Sequence, residues 1–345
     1  MSPTYIPGRS GVTLSPHDDP RHARVPNPLA ADGQPVVNSS VTVTNTPGDL
    51  DYGPGPKDTL PTISDAGDVL YTVLANTFGA VTFTEITFGS VVTVAGEITF
   101  AGGPFTTSVS FGSLITVGLS LDTNSMGALT TLDAPVLTSI GSNLWVYTSG
   151  ALTRINMPLL SSIGLEFDAD GCTALTTVSF PELLTVGGAF LVYDCILLAT
   201  ISLPKLASTG ADFDMTDAHG VVNLSLPSLV TVGGVLAVAS CLILETVSLP
   251  ALVTATGGLD FATNRVLTSF SAPLWVPTSG VGVDFVNCAL DETSVNHILR
   301  RCALALPGLT GCTIVLNGIG NAAPSGQGVI DAAALILAGN PTLTN

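Results

Sequence analysis

The sequence predicts a mainly β solenoid, in which short coils stack and each adds a strand to a parallel sheet. Three observations predict it. Between Ile86 and Glu292 the chain repeats itself nine times at a spacing of 23 residues. The copies start at Ile86, Val109, Leu132, Ile155, Val178, Ile201, Leu224, Val247 and Phe270. A fixed period of this length marks stacked supersecondary units that share one core. Each copy also holds a short alternating apolar run, such as Phe190/Val192 or Leu236/Val238, and alternation is the period of a strand. Finally, 46% of residues are apolar or aromatic and only 10% are charged, far from a disordered composition.

In chain order, residues 1–60 differ in kind. They are Pro-rich and lack any helical or strand period. Pro removes backbone donors and favours extended chain, so this segment reads as a disordered tail or, the reading favoured, as an extended arm that anchors the solenoid to a larger partner. The run Val41–Thr44 is expected to add a strand to a neighbour. The segment His17–His22, HDDPRH, has loose metal-ligand character but reads better as a solvated turn. Residues 61–85 read as a worn terminal copy, since Ile63 lies one period before Ile86 and Val69–Leu74 is apolar. The solenoid is thus assigned to residues 61–292.

Within a copy the columns are regular. Position 4 is Gly89, Gly112, and then Pro135, Pro158, Pro181, Pro204, Pro227, Pro250 and Pro273. Position 10 is usually Gly. Position 18 holds Cys172, Cys195 and Cys241, with Asn264 and Asn287 later, and position 21 is Leu or Val in the eight copies from Val109 onward. An inward Asn there would bond neighbouring backbone, and Cys would fill the same small space as a weak donor. The last copy fits its strand, Val283 and Phe285, only with a shift of one residue, which suggests a bulge. Read from the strand, the unit is L-x-L-x-x-C/N-x-x-L-x-x-I-x-L-P-x-L-x-x-V-G. It resembles the leucine-rich repeat, in the form found in receptor L domains and bacterial surface proteins. That resemblance implies 23-residue coils, a parallel sheet and a binding role for the sheet's outer face, without implying what is bound.

Residues 293–345 break the period and are expected to form a small α/β cap. A helix over the DETSVNHILRRCALAL stretch would be N-capped by Thr293 or Ser294, Cys312–Leu316 reads as a strand, and Gly328–Leu337 as a second helix. Such a cap would close an exposed sheet edge. The passage from Thr313 to Asn340 is similar to a tail found in bacteriophage virion proteins and some bacterial surface proteins.

The candidate site is the outward strand face, an acidic strip with aromatic neighbours: Trp145, Tyr147, Glu166, Asp168, Asp170, Tyr193, Asp212, Asp214 and Asp260. Aromatic faces stack sugars and carboxylates bond hydroxyls or Ca²⁺, so a glycan or cation site is one reading; a solvated face that keeps an apolar solenoid soluble is the plainer one. Glycoside hydrolysis needs one carboxyl with a raised pKa, which an open sheet does not obviously supply. His219 and His297 lack a nucleophile at recognisable spacing, and there is no GxSxG, HExxH or phosphate loop. No enzyme activity, cofactor or metal is expected, and the six Cys are expected to be structural.

A net charge of −17 with nine Lys and Arg argues against nucleic acid or an anionic membrane as partner. The N-terminus MSPTYIPGRSGV lacks an apolar core of signal-peptide length. Together with the resemblances, these features lead to an expected structural protein of a phage virion. It would be a head decoration, fibre or tail-associated subunit, made in the host cytoplasm, present in several copies, and bound to other virion proteins through residues 1–60. The alternative is a bacterial surface adhesin that binds host-surface glycan.

Overall fold

A computed structural model describes residues 93–101, 106–318 and 320–344, together with the backbone of the strands His22–Ala23, Val41–Asn45, Thr62–Ile63, Val69–Thr72 and Phe83–Phe88. It divides into two compact units. One comprises residues 1–164 with 171–175, and the other residues 165–170 with 176–345. Each unit is a stretch of parallel β-solenoid with 23-residue coils.

Each regular coil carries three short strands, not one. In the first unit they are exemplified by Thr131–Asp133, Ser139–Ile140 and Leu144–Trp145. Each pairs in parallel with the equivalent strand one period away, as in Leu132 with Val109 and Ile155, Ile140 with Val117 and Ile163, and Leu121 with Leu144. The second unit repeats the pattern with Thr177–Ser179, Thr185–Val186 and Phe190–Leu191. The alternating run seen in the sequence is therefore one side of three.

Two turns per coil explain two of the columns. The N–H at position 6 donates to the carbonyl at position 3, as in Leu183 to Phe180 and Leu206 to Leu203, with Pro181 and Pro204 between. Pro suits the second residue of such a turn because its φ is preset. The N–H at position 21 closes the other turn on position 18, as in Leu198 to Cys195 and Leu267 to Asn264. The side chains of positions 1, 3, 6, 9, 13, 15, 18 and 21 point inward; in one coil these are Val178, Phe180, Leu183, Val186, Phe190, Val192, Cys195 and Leu198, all buried. Identical positions touch from coil to coil. The rings of Phe167 and Phe190 lie 4.7 Å apart, and those of Phe190 and Phe213 stack at 5.1 Å.

The inward position-18 residue fastens each coil to the one before. Cys172, Cys195 and Cys241 donate Sγ–H to the carbonyls of Val146, Ala169 and Met215 at 3.1–3.3 Å. Asn264 does the same to Val238 at 2.7 Å, while its Oδ1 accepts from the Cys241 N–H. Cys and Asn are thus equivalent here, as expected. All six cysteines are free and buried.

Four expectations need correction. The last coil has one residue more, but its strand Gly282–Asp284 pairs with Gly258–Asp260 without a bulge. The extra residue precedes the strand, in the segment after Val276 where that coil's middle strand is missing. Accordingly Cys288, not Asn287, takes the inward position and donates to Phe261. The first C-terminal helix, α1 (Glu292–Leu304), is capped by Asp291, whose carboxylate accepts the Ser294 N–H at 2.7 Å. Ser294 itself faces inward and accepts from Phe270 N–H. Finally, Val41–Asn45 pairs antiparallel with Phe83–Phe88 of its own chain. The other expectations on residues 1–60, including His17–Arg21, lie outside the described residues.

The C-terminal region keeps the third side growing by two β-α-β crossovers. Gly282–Asp284 leads through α1 to Thr313–Leu316, and then through α2 (Gln327–Leu337) to Thr342–Thr344, each strand parallel to the last. Helix side chains satisfy the outermost coil backbone: Ala272 N–H donates to His297 Nε2 and Arg301 Nε donates to the Trp275 carbonyl. Asn321 and Asn340 continue the inward fastening, donating to the Phe285 and Leu309 carbonyls.

Candidate functional site

The outward face of the third side is built on one repeated device. Asp122, Asp168, Asp214, Asp260 and Asp284 occupy the last residue of their strands, and each accepts the N–H two residues on, at 2.8–3.0 Å. This is the Asx turn, which swings the chain out of the strand. The next residue but two adopts a left-handed backbone. Ser125, Thr148, Gly171, Asp194, Asp217, Ser240 and Thr263 have φ between 54° and 65°, and Asn287 does so in the long coil. These acids are therefore turn-makers before they are anything else, a role that the spacing in the sequence did not suggest.

In the second unit the register sets a column: Asp168, Leu191, Asp214, Ala237, Asp260, Asp284. Coils rise about 4.8 Å each, so the first three carboxylates stand roughly 10 Å apart along the column. Asp260 and Asp284 are on adjacent coils. Asp284 completes the row and was missed because the extra residue displaces it by one from the period. Burial raises the pKa of Asp168 to about 6, with Glu166 and Asp170 adding to the rise against the Asp170 N–H. Burial likewise raises Asp260, with Asp284 and Asp214 contributing.

Of the predicted residues in this unit, Glu166, Asp168, Asp170, Tyr193 and Asp214 form one electrostatic neighbourhood. The Tyr193 hydroxyl donates to Asp170, and that bond, with burial and the charges of Asp170, Asp168 and Asp214, pushes Tyr193 up to about 12. Tyr193 nevertheless stays 40% exposed. Asp212 lies outside the strand and is spent on the backbone, accepting the Val235 N–H at 2.7 Å. Trp145 and Tyr147 belong to the first unit, where Trp145 pairs beside Asp122 and both are half-buried.

Chemically, the column offers outward carboxylate oxygens beside one phenol, able to accept hydrogen bonds from hydroxyls. Among the described residues, no three His, Cys, Asp or Glu side chains converge as metal ligands. Burial lowers the pKa of His297, and Arg301 adds to this against the Ala272 hydrogen bond. No helix among the described residues is long and apolar enough to cross a membrane. No known family model matches the sequence, and no match was found among curated proteins or solved structures.

Proposed function

We propose that this chain is a non-enzymatic structural subunit, working by contact with other proteins in a multi-copy assembly such as a phage virion. The observation that carries the reading is an aliphatic stripe on the second unit. Leu184, Val230, Val253 and Val276, all exposed, recur at position 7 of their coils with Ala207 between. Backbone bonds join these same residues from coil to coil, so they form one continuous line. Contiguous exposed apolar surface of this kind marks protein contact. The coil is proposed to be of the leucine-rich-repeat type, and the similarity of Thr313–Asn340 to a terminal segment of bacteriophage virion proteins and some bacterial surface proteins supports the particular assembly. Residues 1–60 would be the anchor. Deleting them should abolish incorporation into particles while changing the circular dichroism by no more than the loss of the strand Val41–Asn45 that pairs with Phe83–Phe88; full incorporation of the truncated chain would defeat the anchor. An adhesin would instead show glycan binding that Tyr193→Ala removes, and the half-exposed phenol beside Asp170 is what favours that second reading.

A further inference from the structure

Helix α2 is inverted relative to an ordinary surface helix. Its inward residues are Gly328, Asp331 and Leu335. Its outward residues include Val329, Ile330, Ile336 and Leu337, which are 53%, 61%, 55% and 88% exposed, with exposed Ala333 among them. The single charge of the helix is thus turned in, where Gln327 Nε2 donates to its Oδ1 at 2.9 Å and Arg300 approaches at 3.5 Å. Surface helices place charge outward and branched aliphatics inward, so this arrangement leaves an apolar outer face whose burial against a partner would be favourable. The spacing 329/330, 333, 336/337 is the alternation of three and four residues by which one helix seats against another.

We propose that the outer face of α2 docks a second copy of this chain, α2 against α2 across a two-fold axis. Two features favour a copy over another partner. Between Ala303 and Asn345 the sequence has one charged residue, Asp331, in a chain of net charge −17. Copies of so acidic a chain repel one another except where charge is absent, and a two-fold contact brings each group close to its own twin. The α2 face satisfies both demands. In contrast, the other described helix, α1, presents Glu292 and Arg300 outward. The inference rests on the multi-copy part of the proposed function and assigns it to one helix.

Sedimentation velocity of the full chain tests it. Wild type should sediment at twice the 35.0 kDa chain mass. Ile330→Glu combined with Leu337→Glu should sediment at the single-chain mass with an unchanged circular dichroism spectrum, since both side chains are exposed. Ala333→Cys, near the centre of the stripe, should form a covalent dimer under mild oxidation. A wild-type chain at single-chain mass overturns the inference, including the case in which residues 1–60 of the same chain cover the face. So does a double variant that keeps the wild-type mass, or an Ala333→Cys chain that stays monomeric on a non-reducing gel. The incorporation assay is read separately: loss of incorporation without residues 1–60 would stand even where the α2 contact fails.

Discussion

At the residue scale, the acids of the third side illustrate how one side chain can look functional and act structurally. Asp168 spends one oxygen on the Asp170 N–H and lies half-buried among other acids. Its pKa is raised from 3.8 to about 6, mainly by burial. A group raised on folding contributes stability that is fully present below its unfolded pKa and is lost as pH rises through the folded value. Charged Asp168 therefore weakens the fold at neutral pH. Asp168→Asn keeps the turn acceptor and removes the charge. Its thermal midpoint should exceed that of wild type above pH 6, and the difference should close as pH falls towards 3.8. An equal midpoint at neutral pH would contradict this account. Legibility in the sequence was partial at this scale. The acids were visible as a row, but an Asx turn is a backbone relation, and nothing in a row of Asp distinguishes a turn acceptor from a ligand.

At the scale of the coil, the position-10 glycines are set by stacking, not by conformation. A Cβ on Gly141 would lie 1.9 Å from the Gly118 carbonyl oxygen, and one on Gly210 equally close to that of Gly187. Neither overlap can be relieved without moving backbone. Gly141→Ala should cost about 2–3 kcal/mol in chemical denaturation, as overpacking against a rigid neighbour does. Gly127→Ala, where nothing lies within 4 Å, should change stability by less than about 0.5 kcal/mol. Equal effects would refute the stacking explanation. Thr256 also occupies this position, and its Oγ1 donates to the Gly233 carbonyl of the preceding coil. The period, the Pro turns and the Cys/Asn column were readable because each is imposed once per coil and so repeats. The number of strands per coil was not, because the other two strands are only two or three residues long and are bounded by turns, which leaves no run over which alternation could show. They are defined by pairing with the next coil.

At the scale of the whole molecule, the cysteines report on the integrity of the core. Burial raises the thiol pKa values of Cys241, Cys288 and Cys302 to about 12. Thiolate is the reactive form. All six thiols are also buried, out of a reagent's reach, so the folded chain should give no rapid reaction with a thiol reagent at neutral pH, and all six groups should react on unfolding. Rapid reaction of even one thiol in the native state would mean that the inward column is open to solvent.

The sequence alone determined the period, the solenoid class, the inward columns and the place where the regular repeat stops. Those properties recur every 23 residues, and a repeated constraint leaves a repeated letter. The tertiary structure decided what has no period. It shows three strands to a coil, the Cys288 shift, the Asp291 cap and the tethering of the acids to backbone. It also shows the reversal of α2, with its charge inward and its aliphatics outward. An eleven-residue helix in which nearly every residue is apolar has no sequence-visible inside. Only the packing of its neighbours selects which face is buried.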